Sequence, residues 1–352
     1  MNDRLRKKAA IKRASQTARS RESVLNQEYL NKLEELYKNA LDDINAKIRR
    51  YAGVDDTLSF RNLQQLKDEV GLSISELNTA QQRLLKAGMT GAAEVGAAVF
   101  VDGEKYKLLV NETVKKTINF MAEDGLQLSD RVWRVNQHTR AIIEQSIENA
   151  IIQGYSASKA AQDFLNNGQK VPSEILKKMQ SAAPDNIKKI LGRELLQNDA
   201  SAYFNAKRMF QTEINRSYGL AYRDSCFEHD EVVGTRFCLS PNHKKRDICD
   251  LHANANVYGL GAGVYPKGKS PWPAHPMTRS YEEPVFSDEV SDADKEGKQT
   301  RTEWLQKQPS GLQANILGAR IKQQAFAEGL LKENEFTTPY RSLKNRLAKR
   351  GL

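Results

Sequence analysis

Two cysteines, three histidines and two aspartates crowd into one stretch, Val232 to Phe286, of a 352-residue chain that holds three cysteines and five histidines in all. Thiolate sulfur and imidazole nitrogen are the usual ligands of tetrahedral zinc. Cys238, Cys249, His252 and His275 are candidates for such a site, with His243 and Cys226 in reserve. No Cys-x-x-Cys or His-x-x-x-His pair is present to shorten the loop a metal must close. The expectation is therefore no cofactor, with zinc at those four residues as the alternative. On this reading Cys238 and Cys249 are small buried apolar groups, and His275 is fixed by hydrogen bonds beside Pro276.

A second chemistry would gather carboxylates and a histidine around a hydrated cation. Asp247, Asp250 and His252 are close enough in sequence for that, which makes a metal-dependent nuclease or other hydrolase the alternative function. At a turn or helix start the same aspartates serve as turn and cap residues, and this is the expected role. No Gly-x-Ser-x-Gly elbow exists for a serine hydrolase. The run Gly259-Leu260-Gly261-Ala262-Gly263 lacks the Lys-Ser/Thr of a phosphate loop and the strand-to-helix setting of a dinucleotide site. It reads as a tight turn in a small sheet. The chain is expected to have no catalytic residues and not to be an enzyme.

The elements that position these residues are of two kinds. Val232–Leu239 and Ser280–Phe286 read as strands, with Phe237 and Trp272 as the aromatic anchors of a compact α+β module near 226–290. Almost everything else is helical in pattern. Leu30, Leu33, Tyr37, Leu41, Ile44 and Ile48 recur at steps of three and four. Ser73 and Glu76 form a capping box that predicts a helix start, and Gly88 a helix end. Small residues from Gly91 to Ala98 permit close approach of another backbone. Helices are expected at Lys105–Met121, at Ser129–Ile152, at Ser158–Leu165 beyond Gly154, at Asp185–Leu196 behind Pro184, and from Ser201 to Glu228. On the last of these Phe210, Ile214 and Tyr218 share a face, and Glu213 is expected in an ion pair or cap. Ser287–Gly297 reads as an acidic surface loop. Ser310 and Gln313 open a closing helix carrying Leu317, Ile321 and Ala325, with Gly329 at its end. The fold class is mainly α with a small α+β module. Its expected parts are an N-terminal arm (1–22), an N-terminal helical region (23–128), a region from 129 to 330 that contains the module, and a C-terminal tail (331–352).

Charge is distributed unevenly. The formal net charge is +10. Residues 1–22 hold eight Lys/Arg against Asp3 and Glu22, and residues 340–352 hold five basic residues and no acid. Basic ends suit a polyanion, because Lys and Arg release condensed counterions when they neutralise phosphates. No apolar run approaches the ~18 residues of a membrane span, no secretory signal is recognisable at the N-terminus, and three cysteines suit a reducing compartment.

The order strand, Arg246-Asp247-Ile248-Cys249-Asp250, Tyr258-Gly259-Leu260-Gly261-Ala262-Gly263-Val264-Tyr265-Pro266, Pro273-Ala274-His275-Pro276 resembles the phage minor head proteins of the Mu F-like head-morphogenesis family. Upstream, the helix with Thr212-Glu213 is similar to the family's Thr-Glu helix. Downstream, Trp304-Leu305 and Gln313-Ala314-Asn315-Ile316-Leu317-Gly318 are similar to its closing element. The resemblance covers roughly residues 200 to 330. Where the family pattern continues His-Pro-x-Cys-x-Cys, this chain has Thr278 and Ser280, so two thiolates are missing. The resemblance implies a minor capsid protein of a tailed bacteriophage, present in host cytoplasm during assembly and then inside the head near the portal vertex. Its implied partners are the portal protein, the major capsid protein and packaged double-stranded DNA, with no membrane. It implies structural roles for Thr212, Glu213, Asp247, Asp250, Gly259, Gly261, Gly263, His275 and Pro276. Arg4, Arg6, Lys7, Lys8, Lys12 and Arg13 of the arm are the expected contacts to DNA phosphates or to an acidic portal surface.

Overall fold

A computed structural model of the chain describes residues 3–53, 58, 60–121 and 126–351. The apolar stripe of the N-terminal region lies on α1 (Asp3–Arg50), a single helix of 48 residues. Leu30, Leu33, Tyr37, Leu41, Ile44 and Ile48 are all buried along it. They pack against α2 (Leu63–Ala97) and α7 (Ala202–Cys226), together with α4 (Leu128–Asn166) and α6 (Pro184–Gly192), in one core. The shorter α3 (Gly103–Ile118) and α5 (Ser173–Met179) flank this bundle. Inside it, the Tyr37 hydroxyl donates to Gln81 Oε1 at 3.0 Å, which satisfies a polar group that would otherwise be costly to bury.

Close approach of α2 to α7 depends on the small residues near the end of α2. A Cβ at Gly96 would stand 2.5 Å from the Tyr218 carbonyl oxygen and 2.9 Å from the Tyr222 nitrogen. The two helices therefore touch backbone to backbone. Local signals of helix ends are overridden elsewhere by this packing. Helix α2 starts ten residues before Ser73 and runs through Gly88, which faces Ile214 and Tyr29. Ser73, expected as a cap, is buried in mid-helix and donates to Asp43. Likewise α4 is continuous through Gly154, whose bare Cα admits Ala182. Pro184 does occupy the first turn of α6, as its missing N–H favours.

From α7 the chain enters β1 (Val232–Cys238), which is central in a three-stranded antiparallel sheet of order β2-β1-β3, with β2 at Val264–Tyr265 and β3 at Tyr281–Phe286. Thr235 pairs with Tyr265 on one side, and Phe237 with Glu282 on the other. Helix α8 (Ile248–Asn254) covers one face of the sheet, where Phe237, Cys249, Tyr265 and Trp272 form a small core. Its other side meets the C-terminal helices. After the short α9 (Asp292–Glu296), these are α10 (Arg301–Gln306), α11 (Ser310–Leu317), α12 (Arg320–Ala327) and α13 (Tyr340–Ala348). Ile248 and Leu251 share a core with Leu305, Ile316, Leu317, Phe326, Leu343 and Leu347.

Further sequence expectations need correction. Residues 3–22 are the first turns of α1 and lie against the module, because acidic groups there meet their basic ones. Helices between 129 and 226 share a core with those of 23–97, whereas the module has cores of its own, so the apolar contacts do not break at 128/129. The closing helix is two helices: Gly318, in the left-handed region (φ 77°), ends α11, and α12 begins at Arg320. Finally, the basic C-terminal tail is folded. Leu343 and Leu347 are buried, and the buried Glu335 carboxylate accepts from Arg346 and Arg350.

Candidate functional site

The chemistry-bearing residues sit where α8 meets the loop after Trp272. Asp247 is the N-cap of α8, and its Oδ1 accepts from Cys249 N at 2.8 Å. Asp250 reaches back to accept from Asp247 N at 2.9 Å, completing a capping box. Asp250 is buried and also meets His243 Nε2 at 2.9 Å and the Arg246 guanidinium. Burial would raise its pKa, but the bonds from Arg246, His243 and Asp247 N outweigh that and hold the carboxyl below its ordinary value.

His275 faces this helix start from across the cleft. Its Nδ1 lies 2.8 Å from Pro276 O. Its Nε2 lies 3.3 Å from Cys249 Sγ and 3.5 Å from Asp247 Oδ2. The bonds to Asp247 and then Cys249 push the imidazole up to about 10, against the opposing effect of burial. Desolvation opposes ionisation of Asp247 too, but His275 and the Cys249 N–H carry its carboxyl down to about 2. Thr278 Oγ1 stands 3.7 Å behind Cys249 Sγ. A cleft of about 670 Å³ lies in front, lined by Lys245, Asp247, His275, Asn315, Arg320 and Thr337 among others.

The loop that aims His275 is tied to α7. Met277 adopts a left-handed backbone (φ 59°), uncommon for a residue with a side chain. Its N–H donates to Thr212 Oγ1 at 3.2 Å, and Asn215 Nδ2 donates to Thr278 O at 2.8 Å. Trp272 anchors the loop's start. Its ring lies where a Cβ on Gly219 would be, 2.0 Å from that position, while its Nε1 donates to Ser280 O at 2.9 Å. Thus Thr212 has a definite task, and the neighbouring Glu213 has another. Glu213 is buried between Arg216 and Arg131, although desolvation still raises its pKa.

Of the four residues of the alternative zinc reading, the fold gathers two. Cys238 follows Phe237 on β1. Since Phe237 points at α8, alternation along the strand sends Cys238 to the other face, where it pairs with Tyr281. His252 lies one turn beyond Cys249 and is sealed against Phe237, with ring centroids 5.7 Å apart. Burial pushes its imidazole down to about 3, so it is neutral. The same placement removes His252 from the Asp247/Asp250 pair of the hydrolase reading. Among the described residues, the groups that come together are Asp247, Cys249 and His275, and beside them His243, Asp247 and Asp250. The glycine run takes the turn that its composition predicts. Gly259, Gly261 and Gly263 all have positive φ, and a Cβ on Gly263 would strike the Ala253 carbonyl at 2.5 Å.

The arm residues are placed unevenly. Arg4 Nε meets Glu231 at 2.9 Å, and Lys8 and Lys12 pair with Asp288 and Glu289. Lys8 is itself buried and its ammonium is 5.1 Å from the centre of the Phe286 ring. Arg19 lies over Tyr281 at 3.8 Å and reaches Glu283. Arg6, Lys7 and Arg13 are exposed.

Sequence reasoning missed two features. The acidic stretch after β3, read as a surface loop, is the docking ridge for α1. A usable signal was the matching excess of opposite charge at the N-terminus. Glu282 was also missed: fully enclosed, it accepts from Thr235 Oγ1 at 2.7 Å, with Arg223 at 3.9 Å, and burial raises its pKa. A glutamate in an alternating strand gives no hint of facing inward. No family model, no curated protein and no solved structure matches the chain.

Proposed function

We propose that the protein is a minor capsid protein of a tailed bacteriophage, required for head morphogenesis and located inside the head near the portal vertex. On this reading its partners are the portal protein and the major capsid protein, and packaged double-stranded DNA lies within reach of its basic helix. One observation carries the reading. The three sequence segments that resemble the Mu F-like family, separated by tens of residues, pack on one another. Thr212 holds the loop of His275, Gly219 seats Trp272, and Ile248 and Leu251 of α8 bury against Leu305, Ile316 and Leu317.

The role is architectural. The alternative hydrolase reading needs Asp247, Asp250 and His252 to converge on one cation, whereas Asp247 and Asp250 cap α8 and His252 is enclosed. The arm's contribution to phosphate binding falls mainly to its exposed side, since Arg4, Lys8 and Lys12 are held by carboxylates. Purified particles should contain the protein in a fixed ratio to the portal, with cross-links to it recovered by mass spectrometry. Absence from particles made by a host that expresses it would overturn the reading. For DNA, a salt series on the full chain should give a log–log slope that falls by about 2 in an Arg6→Ala/Arg13→Ala variant, about one unit per lost phosphate contact. An unchanged slope would remove those arginines from the interface.

A further inference from the structure

The tautomer of His275 poses a question about charge. With Nδ1 bonded to the Pro276 carbonyl at 2.8 Å, a neutral ring must carry its proton on Nδ1. Nε2 then directs a lone pair at a thiol sulfur 3.3 Å away and a carboxylate oxygen 3.5 Å away. The thiol proton can satisfy one of these contacts, Sγ–H donating to Nε2, but the carboxylate oxygen then faces the same nitrogen with no proton of its own. A proton on Nε2 is one answer. A cation is the other.

We propose that Asp247, Cys249 and His275 bind a divalent cation of borderline softness, zinc above all, through Oδ2, Sγ and Nε2. Spacing, donor chemistry and access support this. Zinc bonds of 2.0–2.3 Å at tetrahedral angles put ligand atoms roughly 3.3–3.6 Å apart. The two distances above match that spacing, and all three donor atoms lie within 4.8 Å of one another. One sulfur, one nitrogen and one oxygen are poor partners for magnesium or calcium, which take oxygen sets, and suit zinc. Supporting contacts resemble those around bound metals: the Pro276 carbonyl fixes the ring, Thr278 Oγ1 is placed to donate to the sulfur, and the Cys249 N–H orients Asp247. Cys249 is buried, whereas His275 and Asp247 open onto the cleft of about 670 Å³, which supplies an entry path and water for the fourth position. A cation here joins the start of α8 to the loop that α7 holds, so it would brace the module at its seam.

The test uses the full-length protein. After incubation with zinc and gel filtration, elemental analysis should find one zinc per chain. Cobalt in its place should give the absorption of a tetrahedral centre together with a thiolate-to-cobalt charge-transfer band. Cys249→Ser should abolish that band and Cys238→Ser should keep it. Asp247→Asn retains an oxygen that can cap α8, so it tests the ligand without removing the cap, and it should weaken zinc binding at least tenfold. Zinc should also raise the wild-type melting temperature and leave that of Asp247→Asn nearly unchanged. The proposal is overturned if the folded wild type retains no zinc, if cobalt gives no thiolate band, or if Asp247→Asn binds zinc as tightly as wild type. In the first two cases the proton on Nε2 is the bridge.

Discussion

Helix α1 docks twice, by two different kinds of contact. Its second half, from Leu30 to Ile48, presents a continuous apolar stripe to α2 and α7. Its first half lays Arg4, Lys8, Lys12 and Arg19 along an acidic ridge formed by Glu231, Glu283, Asp288 and Glu289. Apolar contact is insensitive to salt and costly to remove. Ion pairs at a partly solvated surface are each worth ~0–1 kcal/mol and weaken as ions screen them. The first half adds lesser buried contacts of its own, Ile11 beside Phe286 and Ser15 accepting from the Tyr222 hydroxyl, so one rigid rod is held mainly by apolar contact at one end and mainly by charge at the other.

The largest effect is expected in the firm half. Leu33 is fully buried, and Leu33→Ala should cost about 2–5 kcal/mol through lost transfer energy and the cavity left behind. Gly96→Ala should cost about 1–3 kcal/mol, since its Cβ would meet backbone rather than a yielding side chain. Denaturant unfolding measures both. A loss below about 1 kcal/mol for Leu33→Ala would mean the stripe is not what holds α1. An intermediate effect is expected in the other half. Arg4→Ala/Lys8→Ala/Lys12→Ala together should cost about 1–2 kcal/mol, and amides of residues 5–20 should exchange much faster while those of 30–48 keep their protection. Salt at 1 M, where the screening length is about 3 Å, should mimic the triple variant. Equal loss of protection in both halves would erase the contrast.

The same contrast explains what the sequence could tell. The firm half was legible because a repeat of three and four reports a buried face directly. The sheet strands and the glycine turn were legible for similar local reasons. Some helix starts were legible too, at Pro184 and Ser201, but two expected ends were not: Gly88 and Gly154 carry the residue type of a terminus, yet each serves a close contact with Ile214 or Ala182 far along the chain. Docking of the first half was hidden because Lys8 and Asp288 are 280 residues apart and charge leaves no periodic trace. At the candidate site Asp247, Cys249 and His275 were visible as types. Their assembly without Cys238 and His252 was not, since that depends on strand alternation and on one turn of α8.

Protonation gives the smallest and most selective test of the charge-held end. Burial would lift the Glu289 carboxyl, but the Lys12 ammonium and the Phe286 N–H outweigh it and hold the group below its ordinary value. A carboxyl whose pKa is depressed by docking stabilises the docked state above its ordinary pKa, and that contribution disappears as pH falls through the lowered value. Exchange protection of residues 5–20, corrected for intrinsic rates, should therefore be flat from pH 7 to about 5.5 and should fall with further acidification. Glu289→Gln should lose about 0.5 kcal/mol of docking at neutral pH and show a shallower acid fall, since Gln can still accept from Phe286 N but cannot pair with Lys12. The stripe from Leu30 to Ile48 contributes no such term, and its protection should not follow this curve. Protection that falls in both halves together would show that acid unfolds the module rather than releasing the helix from it.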